Sequence, residues 1–162
     1  MSGLDPRQLL ELAVRPALNA LGEGYNGVAA EQLVMGTAAV ESGLVWLKQL
    51  GTGPALGLWQ VEPGTFADLW ARRHEEFVGE GLACSDHYPK FDEMACNLRF
   101  AAAMCRLKYK DAKPKLPDAW DVAAMESYHK RFYNSALGAT KPGEFTRAWA
   151  NLIAPQAARM WP

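Results

Sequence analysis

Residues 38–60 read AAVESGLVWLKQLGTGPALGLWQ, and this stretch decides how the chain is interpreted. An apolar run at helical spacing ends in Glu41-Ser42-Gly43, where a glycine directly after the last helical residues is a common helix stop. A glycine-rich and proline-containing segment then leads to Gly57-Leu58-Trp59-Gln60. A carboxylate at the end of a buried helix, followed by a turn with an aromatic ring and an amide, indicates a general acid beside a cleft for carbohydrate.

The length and composition favour one globular domain. The chain has 162 residues, of which 49% are hydrophobic and 22% are charged, as in a folded rather than a disordered protein. A chain of this length buries a sizeable core, so we interpret residues 1–162 as a single domain. The net charge of -1 argues against nucleic acid or an anionic membrane as a partner. No stretch reaches the ~20 apolar residues that a membrane span needs.

Hydrophobic periodicity predicts a mainly α fold with at most a small strand element. Apolar residues recur at helical spacing in segments that glycines and prolines separate. The segment 52–63 is interpreted as irregular or short-strand structure, and 79–90 as a loop. The predicted helices cover about residues 6–21, 28–43, 63 to the loop at 79, 91–108, 119–133 and 142–153.

The three cysteines, Cys84, Cys96 and Cys105, do not indicate a complete disulfide framework, because their number is odd. Reduced thiols in the core are the simpler interpretation. Metal binding by Cys84, His87 and Cys96 is the alternative, but their spacing matches no common zinc pattern. Cys96 and Cys105 would lie on opposite faces of one helix and could not share an ion. We therefore predict no metal site and no cofactor.

Glu41 is the first candidate catalytic residue. Val34, Thr37 and Ala38 precede it on the same helix face, so its side chain points where apolar side chains point. A carboxyl group in such surroundings loses hydration, which favours its protonated form. A general acid that protonates a glycosidic oxygen needs to keep its proton near neutral pH. A lone glutamate here would more simply be a half-exposed helix-end residue, so the assignment depends on residues downstream.

The segment GLWQVEPGT, residues 57–65, supplies further groups. Gly57 allows a close backbone approach or a positive φ. Gln60 offers a donor and an acceptor, which suits sugar hydroxyls or an N-acetyl group. Trp59 is either a platform for a sugar ring or a core side chain, and Glu62 is a second carboxylate near the first.

Several motifs in the same order resemble those of lytic transglycosylases and goose-type lysozymes. Glu41-Ser42-Gly43 followed by GLWQVEPGTF resembles the family pattern Glu-Ser, Gly-Leu-Met-Gln and Pro-Ser-Thr. The segment DEMACNL, residues 92–98, resembles the family segment in which an asparagine precedes a long helix. Tyr133-Asn134 resembles the family's Tyr-Asn motif, although the glycine that follows it is displaced here. Trp59 stands where the family has methionine, and the resemblance covers about residues 30–140.

This resemblance implies a lysozyme-like helical bundle around a glycan cleft. It implies an enzyme that cleaves the β-1,4 bond between N-acetylmuramic acid and N-acetylglucosamine in peptidoglycan. Glu41 would act first as acid and then as base. Gln60, Tyr133 and Asn134 would contact the substrate or orient the carboxyl group. Ser42 could also contact the substrate, but a polar residue at the end of a helix explains it equally well.

Two reactions fit the resemblance. A lytic transglycosylase needs only Glu41, because the 6-hydroxyl group of muramic acid attacks the anomeric carbon and leaves a 1,6-anhydro end. A goose-type lysozyme hydrolyses the bond, and Glu62 stands where an acidic residue follows the glutamine motif and could activate water. A non-catalytic module on a lysozyme-like scaffold and a helical adaptor are the remaining alternatives.

The N-terminal sequence lacks a basic region followed by a continuous apolar region, so we predict no signal peptide. With the resemblance, this favours a bacteriophage protein that reaches the periplasmic cell wall from a virion or, as an endolysin, through a holin. A secreted bacterial effector is another interpretation. The expected partners are peptidoglycan glycan strands and, for a virion component, other virion proteins. Lys108, Lys110, Lys113 and Lys115 are interpreted as a basic loop that is either solvated or meets anionic wall polymer.

Overall fold

The computed structural model describes residues 3–78, 82, 90–134 and 140–162, and the protein is mainly helical. Within these ranges, β pairing is limited to isolated bridges that join Lys48 to Leu56 and Leu56 to Val61. The prediction of a mainly α fold is therefore confirmed. Leu56 and Val61 lie in the segment 52–63 that we interpreted as irregular or short-strand structure, whereas Lys48 precedes it.

The first helical stretch consists of α1 (Pro6–Leu9), a π-helical segment (Leu10–Val14) and α2 (Arg15–Ala20). Asp5 caps it, because its side chain accepts a hydrogen bond of 2.9 Å from the Gln8 backbone N–H. Pro6 occupies the first turn, where its missing N–H costs no helical hydrogen bond. The observed stretch agrees with the helix predicted over residues 6–21.

Helix α3 (Val28–Ser42) is the central element of the fold. All residues from Ala30 to Ala39 are buried, as expected for a helix that neighbours surround on every side. It packs against the later helices α6 (Leu98–Lys110), α7 (Val122–Phe132) and α8 (Glu144–Ala148). Gly43 ends α3 in the left-handed conformation, with φ 61°, as the helix-stop pattern predicted.

The prediction of one continuous helix over residues 91–108 is wrong, because two helices occupy that region. They are α5 (Glu93–Cys96) and α6, and Asn97 between them has φ -113° and ψ 88°. The Asn97 side chain caps α6 by accepting a hydrogen bond of 3.1 Å from the Phe100 backbone N–H. An asparagine competes with the helical backbone for hydrogen bonds, which explains why the helix restarts at this residue.

The remaining helices differ from their predicted limits at the ends. Helix α4 (Pro63–Val78) begins where predicted, and Arg73 interrupts it with φ -139°. Helix α7 begins later than predicted, because Trp120 has φ 71° and Asp121 caps the helix. The C-terminal helical stretch continues beyond the predicted limit as π, 3-10 and α segments: Trp149–Ile153, Ala154–Gln156 and α9 (Ala157–Met160). Most of the predicted loop 79–90 lies outside the described residues.

Glu126 on α7 fixes the start of α8. Its carboxylate accepts hydrogen bonds from the backbone N–H groups of Gly143 and Thr146, and from the Thr146 hydroxyl. Partial burial alone would raise the pKa of Glu126, but these hydrogen bonds lower it overall. A carboxyl group with a lowered pKa stabilises the fold above its pKa in the unfolded chain, and this contribution is lost as the pH falls.

We expect Glu126→Ala to lower the free energy of unfolding by about 1–2 kcal/mol at pH 7, since the start of α8 loses its acceptor. The difference from the wild type should shrink below about pH 4, where the wild-type carboxylate becomes protonated. Urea unfolding at pH 7 and pH 3 measures both values. An equal difference at the two pH values would contradict a role for the charge.

Candidate functional site

The C-terminal end of α3 borders a cleft of about 410 Å³. Helices α3, α4, α6 and α7 and the segment between α3 and α4 each contribute to its walls. The cleft therefore unites residues that are distant in the sequence. Its lining residues are Glu41, Gln49, Ala55, Gln60, Glu62, Thr65, Lys108, Phe132, Tyr133, Asn134 and Thr140.

Glu41 lies in the last turn of α3 and forms part of the cleft wall. Its side chain is 19% exposed, so the carboxyl group is shielded from most solvent but open to the cleft. Its Oε1 atom lies 2.9 Å from Nε2 of His129 on α7. This contact joins the last turn of α3 to the last turn of α7 and restricts the orientation of the carboxyl group.

His129 is the residue of this site that the sequence interpretation missed. Its side chain is only 1% exposed, and its ring packs against the rings of Tyr133 and Phe145 at centroid distances of 5.5 and 5.4 Å. The sequence held one signal for it, since His129 precedes Tyr133 by one helical turn on α7. A histidine on the same helix face as a cleft tyrosine is a candidate partner for a carboxylate.

Tyr133 forms a wall of the cleft, but its hydroxyl group is engaged. The hydroxyl donates a hydrogen bond of 2.7 Å to the backbone carbonyl of Trp59. Complete burial raises the pKa of Tyr133, so the phenol is neutral. Tyr133 therefore connects α7 to the turn before α4 and offers its ring, rather than its hydroxyl, to neighbouring groups.

Lys108 brings a positive charge into the cleft. Its Nζ donates a hydrogen bond of 2.6 Å to the Tyr133 carbonyl and lies 4.1 Å from the centre of the Tyr133 ring. Burial lowers the pKa of Lys108, while the charges of Glu41 and Glu62 act in the opposite direction. The prediction that Lys108 belongs to a basic loop is wrong, because α6 continues through Lys110 and directs Lys108 into the cleft.

Gln60 lies in a tight turn at the edge of the cleft. It has φ 46°, and its Nε2 donates hydrogen bonds of 2.7 Å to the Gly57 carbonyl and 3.3 Å to the Trp46 carbonyl. These bonds hold the side chain in place while it lines the cleft. Gly57 has φ 79°, so the sequence-based expectation of a positive φ there is confirmed.

Trp59 and Ser42 are buried and are not among the residues that line the cleft. Trp59 is 0% exposed and donates a hydrogen bond of 2.9 Å to the Val34 carbonyl, so it is a core residue and not a sugar platform. Ser42 is buried, and its hydroxyl donates to the Ala38 carbonyl at 2.9 Å. Ser42 is not among the cleft-lining residues, so its position favours the helix-end role over a substrate contact.

Asn134 and Glu62 complete the predicted set, and both line the cleft. The Nδ2 atom of Asn134 is buried and has no hydrogen-bond partner within the described part of the chain. A buried amide donor without a partner is rare in folded proteins and can be satisfied by a ligand. Glu62 is exposed and precedes α4, so it is open to solvent as well as to the cleft.

The two cysteines that the structure describes, Cys96 and Cys105, occupy different environments. Cys105 is buried, and burial raises the pKa of its thiol. Cys96 is exposed and belongs to α5 rather than α6, so the two do not share one helix as predicted. Cys84 and His87 lie outside the described residues. Among the residues that are described, no group of three or more histidine, cysteine or acidic side chains could hold a metal ion.

Comparison with protein-family models, curated proteins and solved structures gives no match for this chain. The helices within the described ranges include none that is both long and apolar enough to cross a membrane.

Proposed function

We propose that this protein cleaves the β-1,4 glycosidic bond between N-acetylmuramic acid and N-acetylglucosamine in peptidoglycan, with Glu41 as the general acid and base. One observation carries the proposal. Glu41, Gln60, Tyr133 and Asn134 were selected from motifs spread along the sequence, and all of them line one cleft. A shared cleft is what a common substrate would require.

The surroundings of Glu41 suit proton transfer to a glycosidic oxygen. Its carboxyl group is mostly shielded from solvent but faces the cleft, so a bound sugar could reach it. As a general acid, Glu41 would protonate the leaving oxygen while positive charge develops on the sugar ring. The carboxylate that results could then remove a proton from the group that attacks the anomeric carbon.

The attacking group distinguishes the two versions of this proposal. We favour a lytic transglycosylase, in which the muramic 6-hydroxyl group attacks and Glu41 alone supplies acid and base catalysis. Hydrolysis is the second version, because Glu62 lines the same cleft and could activate water as in an inverting glycosidase. The cell wall would be reached from a phage virion or through a holin.

Mass spectrometry of digested peptidoglycan tests the proposal and separates its two versions. We expect soluble muropeptides with 1,6-anhydro-muramic ends, which intramolecular attack alone produces. Reducing muramic ends would establish hydrolysis instead. The absence of any glycan fragment after long incubation would contradict the proposed function and favour a non-catalytic binding module.

Glu62→Gln tests the hydrolytic version directly. If the 6-hydroxyl group attacks, we expect this variant to release anhydro products at a rate within about threefold of the wild-type rate, since its carboxylate takes no part. If Glu62 activates water, we expect the loss of a catalytic base to slow release about 100-fold or more. Because Glu62 is exposed, the substitution should leave the melting temperature unchanged, which circular dichroism can verify.

A further inference from the structure

The contact between His129 and Glu41 differs from an ordinary surface ion pair, because the imidazole is nearly inaccessible to solvent. His129 is 1% exposed, and its Nε2 lies 2.9 Å from the Glu41 carboxylate. The rings of Tyr133 and Phe145 pack against the imidazole and restrict its rotation. An imidazole whose rotation is restricted can in turn restrict the orientation of the carboxyl group with which it forms a hydrogen bond.

His129 also lies between two cavities. The main cleft is on the side of Glu41, and His129 itself lines a second cavity of about 150 Å³. Glu126, Lys130 and Thr140 are among the other residues that line this smaller cavity. The imidazole therefore contacts Glu41 through Nε2, and another part of the His129 side chain borders the smaller cavity.

We propose that His129 is the positioning residue of Glu41, holding its carboxyl group toward the cleft through the hydrogen bond between Nε2 and Oε1. This inference rests on the proposed function of Glu41. In the pair, the proton is either on the carboxyl group, which then donates to Nε2, or on Nε2, which then donates to the carboxylate.

Other charged and polar groups surround the pair. Glu126 lies on the same helix as His129, and the two interact electrostatically. From α6, Lys108 interacts with Glu41, and Tyr133, directly after α7, is a buried neutral phenol. Lys130 lines the smaller cavity and donates a hydrogen bond to the Thr140 carbonyl. Glu41 is the carboxylate in direct contact with the imidazole.

The hydrogen bond can be observed without reference to enzymatic activity. We expect the ¹⁵N NMR shift of His129 Nε2, measured at one pH, to change in Glu41→Gln, because its hydrogen-bond partner changes from a carboxyl group to an amide. His74 is exposed on α4 and serves as the internal control, with unchanged ring-nitrogen shifts. An unchanged Nε2 shift of His129 in the folded variant would overturn the proposal.

The positioning role is tested by two substitutions of different chemistry. His129→Phe keeps a ring for packing but removes the hydrogen bond, and we expect it to reduce glycan release about 100-fold, since a displaced general acid loses its alignment. His129→Gln keeps a hydrogen-bond donor to the Glu41 carboxyl group and should recover part of this loss. The measurement is the initial rate of soluble muropeptide release between pH 4 and 9.

The outcomes separate this inference from the proposed function. No glycan release by the wild type would refute the function, while the Nε2 shift of His129 would still report on the hydrogen bond. Wild-type rates in both folded His129 variants would refute the inference alone. If either variant fails to fold, the Nε2 shift of His129 in Glu41→Gln decides the matter, because that substitution leaves the histidine in place.

Discussion

Replacing Glu41 with glutamine should abolish measurable glycan cleavage, with a loss of about 100-fold or more in the rate of muropeptide release. Glutamine has nearly the shape of glutamate but carries no transferable acid proton. It can still accept a hydrogen bond from His129, so the cleft should keep its geometry. The rate is measured by chromatography of soluble muropeptides from purified peptidoglycan.

Glu75→Gln is the matched control for this prediction. Glu75 is exposed on α4 and does not line the cleft, so the same chemical change there should leave the rate unaltered. Both variants should melt within about 2 °C of the wild type, since neither substitution changes buried volume. Wild-type activity in a folded Glu41→Gln protein would remove Glu41 from the catalytic role.

The sequence predicted much of the cleft because its motifs carry local structural information. A glycine after Glu41 and Ser42 marks the helix end, and a glycine before Gln60 marks a turn with positive φ. Both features depend on neighbouring residues alone. These features determine the local backbone conformation near Glu41 and Gln60. The tertiary fold then brings the two residues to one cleft.

The roles of His129 and Lys108 could not be predicted in the same way. His129 contacts Glu41 only because α7 packs against α3, and no local pattern specifies that packing. Lys108 was assigned to a loop because prolines and lysines follow it, yet helix α6 continues past it. Its apolar neighbours Leu107 and Tyr109 are buried, and this tertiary burial outweighs the local loop signal.

The limits of the helices show the same division between local and tertiary causes. Asp5 and Asp121 cap their helices through their own side chains, which a sequence pattern can indicate. The break at Asn97 is harder to predict, because the residues on both sides are compatible with a continuous helix. The Asn97 amide donates to the Leu82 carbonyl at 2.8 Å, so a distant contact supports the local cap.

Gly57→Ala should be the most destabilising of the substitutions considered for this fold. A Cβ atom at Gly57 would lie 2.1 Å from the Met94 carbonyl oxygen, and this backbone atom cannot move aside as a flexible side chain can. The residue also has φ 79°, which costs a residue other than glycine about 1–2 kcal/mol. With the cost of overpacking, we expect the free energy of unfolding to fall by about 2–5 kcal/mol. Urea unfolding provides the measurement.

Gly64→Ala is the matched control, because it adds the same methyl group close by in the chain. Beyond its chain neighbours and the nearby backbone of its own helix, no atom of the described residues lies within 4 Å of a Cβ at Gly64. Gly64 lies in the first turn of α4, where alanine has a higher helix propensity than glycine. Equal stability of the two variants would contradict the steric argument. Gly57→Ala should also reduce glycan release at temperatures where it remains folded. The Gly57 carbonyl accepts the hydrogen bond that holds the Gln60 side chain, so relief of the clash displaces Gln60 from the cleft wall.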